Sequence, residues 1–140
     1  GMPQKLEEMA VFLKARDFSV AVTAIIGRPA FEKNRRLKDQ IADANESILS
    51  NMAEGFEQST DPPLANYLYI AKGSVAEVVT RLKSAHRRGW LTPAECTEFA
   101  ATGDEIERML GGWIKHLARC DWKDRGRHKA RTSKTRDSND

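Results

Sequence analysis

Residues 64–85, LANYLYIAKGSVAEVVTRLKSA, hold the most regular hydrophobic pattern of the chain. Seven apolar residues alternate there at steps of four and three: Leu64, Leu68, Ala71, Val75, Val78, Leu82 and Ala85. An α-helix completes a turn about every 3.6 residues, so this spacing places all seven on one face. Arg87, Arg88 and Gly89 follow, and cations with a glycine beyond them are typical of a helix C-terminus. The segment predicts a long amphipathic helix that buries one stripe.

Three other segments of the 140-residue chain show the same period. The first covers about residues 6–26 and ends at Gly27, ahead of Pro29, which cannot continue a helix. The second covers about residues 34–58. The fourth opens with Thr92 as N-cap, then Pro93 and a capping-box glutamate, and its stripe runs as far as position 120. The pattern therefore indicates four helices, and no segment predicts a strand convincingly.

Short connections between long helices make consecutive helices antiparallel neighbours. A stripe with a 3.5-residue repeat favours nearly aligned packing, at crossing angles of about 20°. We predict an all-α protein: an up-down-up-down antiparallel four-helix bundle over residues 1–121, followed by a basic C-terminal tail over residues 122–140. No apolar run approaches the length of about 18 residues that a membrane span requires, and we expect a cytoplasmic domain.

Positive charge is concentrated in the predicted tail. The whole chain has 23 basic and 20 acidic residues, which gives a net charge of +3. From Trp122 onward seven basic and three acidic residues give +4, which leaves −1 for the bundle. This balance suits a polyanion such as RNA. The candidate contacts in the tail are Lys123, Arg125, Arg127, Lys129 and Arg131. The alternative is a solvated terminus that binds nothing.

A second group of cations is brought together by the predicted topology. In an up-down-up-down bundle the first and third connections lie at the same end, so Arg35 and Arg36 should join Arg87 and Arg88. These four residues are the second set of candidate phosphate contacts, although cations there can also offset the dipoles of helix C-termini. The tail is favoured over this end as the contact with nucleic acid. Acidic residues are expected at the opposite end, beside the root of the tail, which could pack on them instead: Glu7, Glu8, Glu54, Glu57 and Asp61.

Motifs of common enzyme classes are missing from the sequence. It has no phosphate-binding GxxxxGKS/T loop, no dinucleotide-binding GxGxxG segment and no GxSxG nucleophile elbow. Glu-x-x-His pairs, which build di-iron sites in helix bundles, are also missing. We therefore predict a non-enzymatic protein with no catalytic residue, no metal ligand and no cofactor.

Two glycines inside predicted helices suggest close approach between helix backbones. Gly55 and Gly73 would each cost about 1 kcal/mol relative to alanine, so each is expected to allow a contact that a side chain would block. Near them Asn51 and Ser74 are expected to form hydrogen bonds within or across a helix seam, where a buried polar residue can fix register.

Two blocks around these glycines resemble a known family. They are SNMAEGF at residues 50–56 and YLYIAKGSVAE at residues 67–77. Together they resemble the four-helix-bundle proteins encoded by intervening sequences of bacterial large-subunit ribosomal RNA genes. The resemblance implies a bacterial homopentamer around a central axis, for which binding of RNA or another nucleic acid is the usual suggestion. The motif residues, with structural roles, are Ser50, Asn51, Glu54, Gly55, Gly73, Ser74 and Glu77.

The sequence is also similar to the accessory bundle subunit of diversity-generating retroelements, a pentamer that binds nucleic acid and reverse transcriptase. A protein-interaction scaffold of that kind, with no direct nucleic-acid role, is therefore the alternative to an RNA-binding bundle.

In one respect the chain departs from the family pattern. Residues 57–61, between the second and third helices, are acidic or neutral where the family usually carries basic residues.

Apolar residues beside the stripes also favour an oligomer. Tyr67, Ile70 and Val79 flank the stripe of the third helix, while Met52 and Phe56 flank that of the second. A bundle that hides one stripe per helix would leave all five exposed. Burial between protomers, through contacts that close a ring, is the expected solution.

Overall fold

The computed structural model describes residues 6, 9–58 and 61–136, with the side chains of Asp61 and of residues 120–136 outside the description. Glu7 and Glu8 therefore lie outside the described residues. Within these ranges the chain forms four α-helices and no strand, which confirms the all-α prediction. The helices are α1 (Ala10–Ile26), α2 (Arg35–Gln58), α3 (Asp61–Arg87) and α4 (Pro93–Arg136), and a short 3₁₀ helix (Pro29–Asn34) joins α1 to α2.

The residues predicted to end α3 and to begin α4 do so in the structure. Gly89 has a positive φ of 83°. Its N–H donates to the carbonyl of His86 at 2.9 Å, and the N–H of Trp90 donates to the carbonyl of Ala85 at 3.1 Å. This pair of bonds is the Schellman arrangement that closes a helix. At the start of α4 the capping box is complete, since the Glu95 N–H donates to Thr92 Oγ1 at 3.1 Å and the Thr92 N–H donates to Glu95 Oε1 at 2.8 Å.

The connection between α1 and α2 is more regular than the sequence predicts. Gly27 caps α1 with an ordinary right-handed φ of −74°. Pro29 then opens the 3₁₀ helix, because its missing N–H and fixed φ suit a first helical position. Asn34, which we expected inside the second helix, lies just before it and accepts the N–H of Leu37 on Oδ1 at 3.0 Å. This is the bond of an N-cap.

Each of the four helices packs against two others. Each packs against the next along the chain, and α1 also packs against α4, which leaves α1 and α3 diagonally opposed. Along α2 and α3, residue numbers rise on one helix as they fall on the other. The hydroxyl of Ser74 donates to that of Ser47 at 2.9 Å, and Arg81 Nη1 donates to Gln40 Oε1 at 2.9 Å. Such pairs require antiparallel neighbours.

A second antiparallel series links α1 to α4. Lys14 Nζ lies 2.6 Å from Glu105 Oε2, and the rings of Phe18 and Phe99 meet edge to face with their centroids 5.9 Å apart. Higher numbers on α1 therefore pair with lower numbers on α4, as they do for α2 and α3.

The core contains more than the predicted stripes. All seven stripe residues of α3 are buried, but so are Met52 and Val79, which are only 0% and 8% exposed. Tyr67 and Phe56 are half-buried, and only Ile70 is well exposed, at 49%. The prediction that all five flanking residues form an exposed patch is wrong, because a helix with two packed neighbours buries a face wider than one stripe.

Candidate nucleic-acid interface at one end of the bundle

Arg28 ties the α1–α2 connection to the α3–α4 connection. Its Nη1 donates to the carbonyl of Trp90 at 3.2 Å and to Glu95 Oε1 at 3.0 Å, while Nη2 pairs with the other carboxylate oxygen of Glu95. The rings of Phe31 and Trp90 pack beside this bond with their centroids 5.3 Å apart. The two connections therefore lie at the same end of the bundle, as the topology argument predicted.

The Arg28–Glu95 pair belongs to the fold rather than to a binding surface. The hydrogen bonds from Arg28, and then that from the Thr92 N–H, lower the pKa of Glu95 from 4.5 to about 2. The hydrogen bonding to Glu95 in turn raises the pKa of Arg28. Both groups are therefore charged and paired with each other at neutral pH, so the positive charge of Arg28 is already compensated by Glu95.

The four predicted cations Arg35, Arg36, Arg87 and Arg88 are all exposed around this end, and we call them the basic rim. Within the described ranges, only Arg35 of the four has a carboxylate oxygen within 4 Å of a guanidinium nitrogen. Its Nε lies 3.8 Å from Glu32 Oε2. Glu32 is held more closely by Lys38, at 2.6 Å, and that hydrogen bond lowers its pKa. The basic rim therefore keeps most of its positive charge uncompensated.

Helix dipoles account for only half of the basic rim. Arg87 ends α3 and Arg88 follows it, where a cation is favoured by the negative end of the dipole. Arg35 and Arg36 instead open α2, whose first turn contains no acidic residue. Cations at a helix N-terminus are disfavoured, typically by about 0.3–1 kcal/mol each. The dipole alternative therefore fails for Arg35 and Arg36.

Aromatic packing orders one side of the basic rim. The guanidinium carbon of Arg88 lies 5.4 Å from the centre of the half-buried Trp90 ring, within cation–π range, and that ring packs on Phe31. Arg88 and Trp90 are two positions apart in one connection, but Phe31 belongs to the other connection, two helices earlier in the chain, so no sequence pattern indicates the stack.

The predicted tail contacts lie at the far end of α4. Its backbone continues as a helix to Arg136, past position 121, where we expected the bundle to end. The side chains of Lys123, Arg125, Arg127, Lys129 and Arg131 are outside the description, and their role stays a prediction. Of the acids predicted near the root of the tail, Glu54 is exposed and accepts from Gln58 Nε2 at 3.4 Å.

The polar residues of the family motif form a network with one member that the sequence analysis missed. Asn51 Nδ2 donates to the carbonyl and hydroxyl oxygens of Ser47, at 2.8 and 2.9 Å, and Ser47 in turn meets Ser74 across the α2–α3 seam. Bonding by Asn51 and Ser74 at the seam is thus confirmed, with Ser47 between them. The hydroxyl of Ser50 donates within its own helix, to the Ser47 carbonyl at 3.3 Å.

The two motif glycines differ from each other. A Cβ on Gly55 would lie 2.7 Å from Tyr67 Cβ, so the predicted close approach of α2 to α3 is confirmed there. Gly73 is exposed, and a Cβ on it would meet no described atom within 4 Å, so the same prediction is wrong for Gly73 within a single chain. Glu77 is also exposed, and it pairs with Arg81 at 3.0 Å.

Two features are absent from the described ranges. No three His, Cys, Asp or Glu side chains there come together as a metal site. No described helix combines the length and hydropathy needed to cross a membrane.

Comparison with known proteins covers the region that holds these features. The family model described as 23S rRNA-intervening sequence protein matches residues 7–112, which include α1 to α3, both motif blocks and the first part of α4. No curated protein matches the chain. Since the match spans most of the 140 residues, the chain belongs to the 23S rRNA-intervening sequence protein family.

Proposed function

We propose that this chain is a non-enzymatic, cytoplasmic homo-oligomer, with a pentamer favoured, that binds RNA without sequence specificity. The observation that carries RNA binding is the position of Arg35 and Arg36 at the N-terminus of α2, against the helix dipole and beside the equally exposed Arg87 and Arg88. The helix dipole disfavours these two cations at the start of α2, and a polyanionic ligand would give a reason for their presence there.

RNA phosphates suit the basic rim chemically. Guanidinium groups donate several hydrogen bonds in a planar fork that matches phosphate oxygens. Such contacts carry no base information, so the binding is sequence-tolerant and depends strongly on salt. The tail supplies a second cationic element, in which positions 123, 127 and 131 fall on successive turns of α4.

Substitution of the whole rim tests this proposal. The rim variant carries Arg35→Gln, Arg36→Gln, Arg87→Gln and Arg88→Gln. Its control removes the same charge from four exposed cations elsewhere, through Arg16→Gln, Arg108→Gln, Lys115→Gln and Arg119→Gln. In filter binding to two unrelated RNAs, we expect the rim variant to lose most of its affinity and the control to keep it. Binding by neither the parent nor the variants would contradict the RNA proposal and leave the protein-interaction scaffold.

Deletion of residues 122–140 separates the tail from the rim. If the tail adds phosphate contacts, the deletion weakens RNA binding on top of the rim's effect. If the tail packs against acids at its own end of the bundle, the deletion loosens the assembly and leaves RNA affinity unchanged or raised. Filter binding and light scattering on the same samples distinguish the two results.

Homo-oligomerisation is supported by the outer face of α3. Tyr69 and Ile70 are 69% and 49% exposed there, next to the exposed Gly73. Light scattering at micromolar concentration should give a multiple of the 15.7 kDa chain mass, with fivefold favoured. A monomer throughout that range would contradict this part of the proposal.

A further inference from the structure

Exposed large hydrophobic residues occur on two separate faces of the bundle. Among the described residues they are Leu13 and Val20 on α1, at 37% and 65%, and Tyr69 and Ile70 on α3, at 69% and 49%. Because α1 and α3 are diagonally opposed, these four residues form two different patches rather than one.

The α1 patch borders a groove between α1 and α4. The groove has a volume of about 530 Å³ and an apolar floor formed by Phe18, Ala21, Ala24, Ile25 and Phe99. Leu13 and Val20 each lie four positions before a residue that lines the groove, Asp17 and Ala24 respectively, so they flank its outer edge on α1.

The groove carries uncompensated negative charge. Of its ionisable lining residues, Lys14 is paired with Glu105, and Glu95 is paired with Arg28. Within the described part of the chain, Asp17 and Glu98 also line the groove but have no cationic partner. The surface is therefore apolar at its centre and acidic at its edge.

The α3 patch has the complementary character. Tyr69 and Ile70 stand beside Gly73, where a Cβ would touch no described atom and where glycine costs about 1 kcal/mol relative to alanine. Contacts inside the bundle do not require a glycine at this position. Lys83 lies further along the helix, exposed and without a carboxylate partner among the described residues. Glu77, one turn after Gly73, is neutralised by Arg81 at 3.0 Å, so the charge left on this face is the positive charge of Lys83, beyond an apolar patch that is open to close backbone approach.

We infer that the α3 patch of one protomer lies in the α1–α4 groove of the next. Tyr69 and Ile70 cover the apolar floor, Gly73 allows the two backbones to approach, and Lys83 offsets the acidic edge. The occupant is a second copy of this chain, so the inference rests on the proposed homo-oligomer. Because the two surfaces differ, the contact is heterologous, and its repetition around an axis forms a ring when the rotation per protomer divides a full turn.

Two variants, each with one damaged surface, test this assignment. Ile70→Arg damages the α3 patch and Ala21→Arg damages the groove. Both positions are exposed in a single chain, so circular dichroism should show unchanged helix content. Each variant alone should be monomeric by sedimentation, because every contact needs one surface of each kind. Asp43→Arg, on the exposed face of α2, is the control and should keep the parent mass.

Mixing the two variants is the decisive step. The intact groove of the Ile70→Arg protomer can accept the intact α3 patch of the Ala21→Arg protomer, so an equimolar mixture should form 1:1 dimers at concentrations where each variant alone is monomeric. A mixture that stays monomeric, or either variant keeping the parent mass, overturns the assignment. A monomeric parent instead overturns the homo-oligomer proposal itself, so the two failures are distinguishable.

Discussion

At Gly103 the backbone of α4 approaches α3 so closely that a Cβ would lie 2.5 Å from Val79 Cγ2. Gly112, nine positions further along the same helix, is exposed and would give a Cβ no described neighbour within 4 Å. The sequence places Gly103 on the buried stripe but gives no distance between backbones. The difference between the two glycines therefore becomes visible only in the packed structure.

These two glycines should respond oppositely to alanine. Gly103→Ala forces Val79 or the helix to move, and overpacking of this kind costs about 1–3 kcal/mol, which outweighs the gain in helix propensity. Gly112→Ala meets no obstacle and should stabilise the fold by up to about 1 kcal/mol. Urea denaturation followed by circular dichroism compares them, and equal shifts in the same direction would contradict the close approach.

The Arg28–Glu95 pair should make stability depend on pH in acid. The folded pKa of Glu95 is lowered to about 2 from 4.5, so its contribution is complete above about pH 4.5 and is lost as the pH falls toward 2. Glu95→Gln should therefore lower the melting temperature at pH 7, and its difference from the parent should shrink between pH 5 and pH 2. Glu46→Gln, at an exposed position on α2, is the control. A difference that is independent of pH would contradict the ion pair.

At the scale of helices, hydrophobic periodicity and helix-end residues were sufficient to predict that the α3 stripe is buried and where α3 ends and α4 begins. The α3 stripe, Gly89 and the Thr92–Glu95 box all behave as predicted. The 3₁₀ helix Pro29–Asn34 was missed because six residues leave no hydrophobic period to detect. Ser47 was missed because a serine at a seam has no sequence signal until its partner across the seam is known.

The capping box at the start of α4 gives a test at this scale. Thr92→Ala removes the oxygen that accepts the Glu95 N–H, and loss of an N-cap costs about 0.5–2 kcal/mol. Thr92→Ser keeps the oxygen and should be close to the parent. Thermal melts of both variants are the measurement, and equal melting temperatures for Thr92→Ala and Thr92→Ser would contradict the cap.

For the whole molecule, the sequence predicted which cations share an end, because short connections fix the topology. It did not predict which of them are already engaged. Arg28 and the rim arginines are alike in the sequence, but Arg28 is held by Glu95 while Arg36, Arg87 and Arg88 have no carboxylate partner in the described ranges. The distinction depends on side chains from separate connections, which a linear pattern does not record.

The salt dependence of RNA binding tests the central claim most directly. Each phosphate contact with a single strand contributes about 0.7 to the slope of log affinity against log salt concentration, so loss of the four rim contacts should reduce that slope by up to about 3. We predict this reduction for the rim variant, equally on two unrelated RNA sequences, and none for the Arg16, Arg108, Lys115 and Arg119 control. An unchanged slope in the rim variant, or the same loss in the control, would contradict RNA binding by the basic rim.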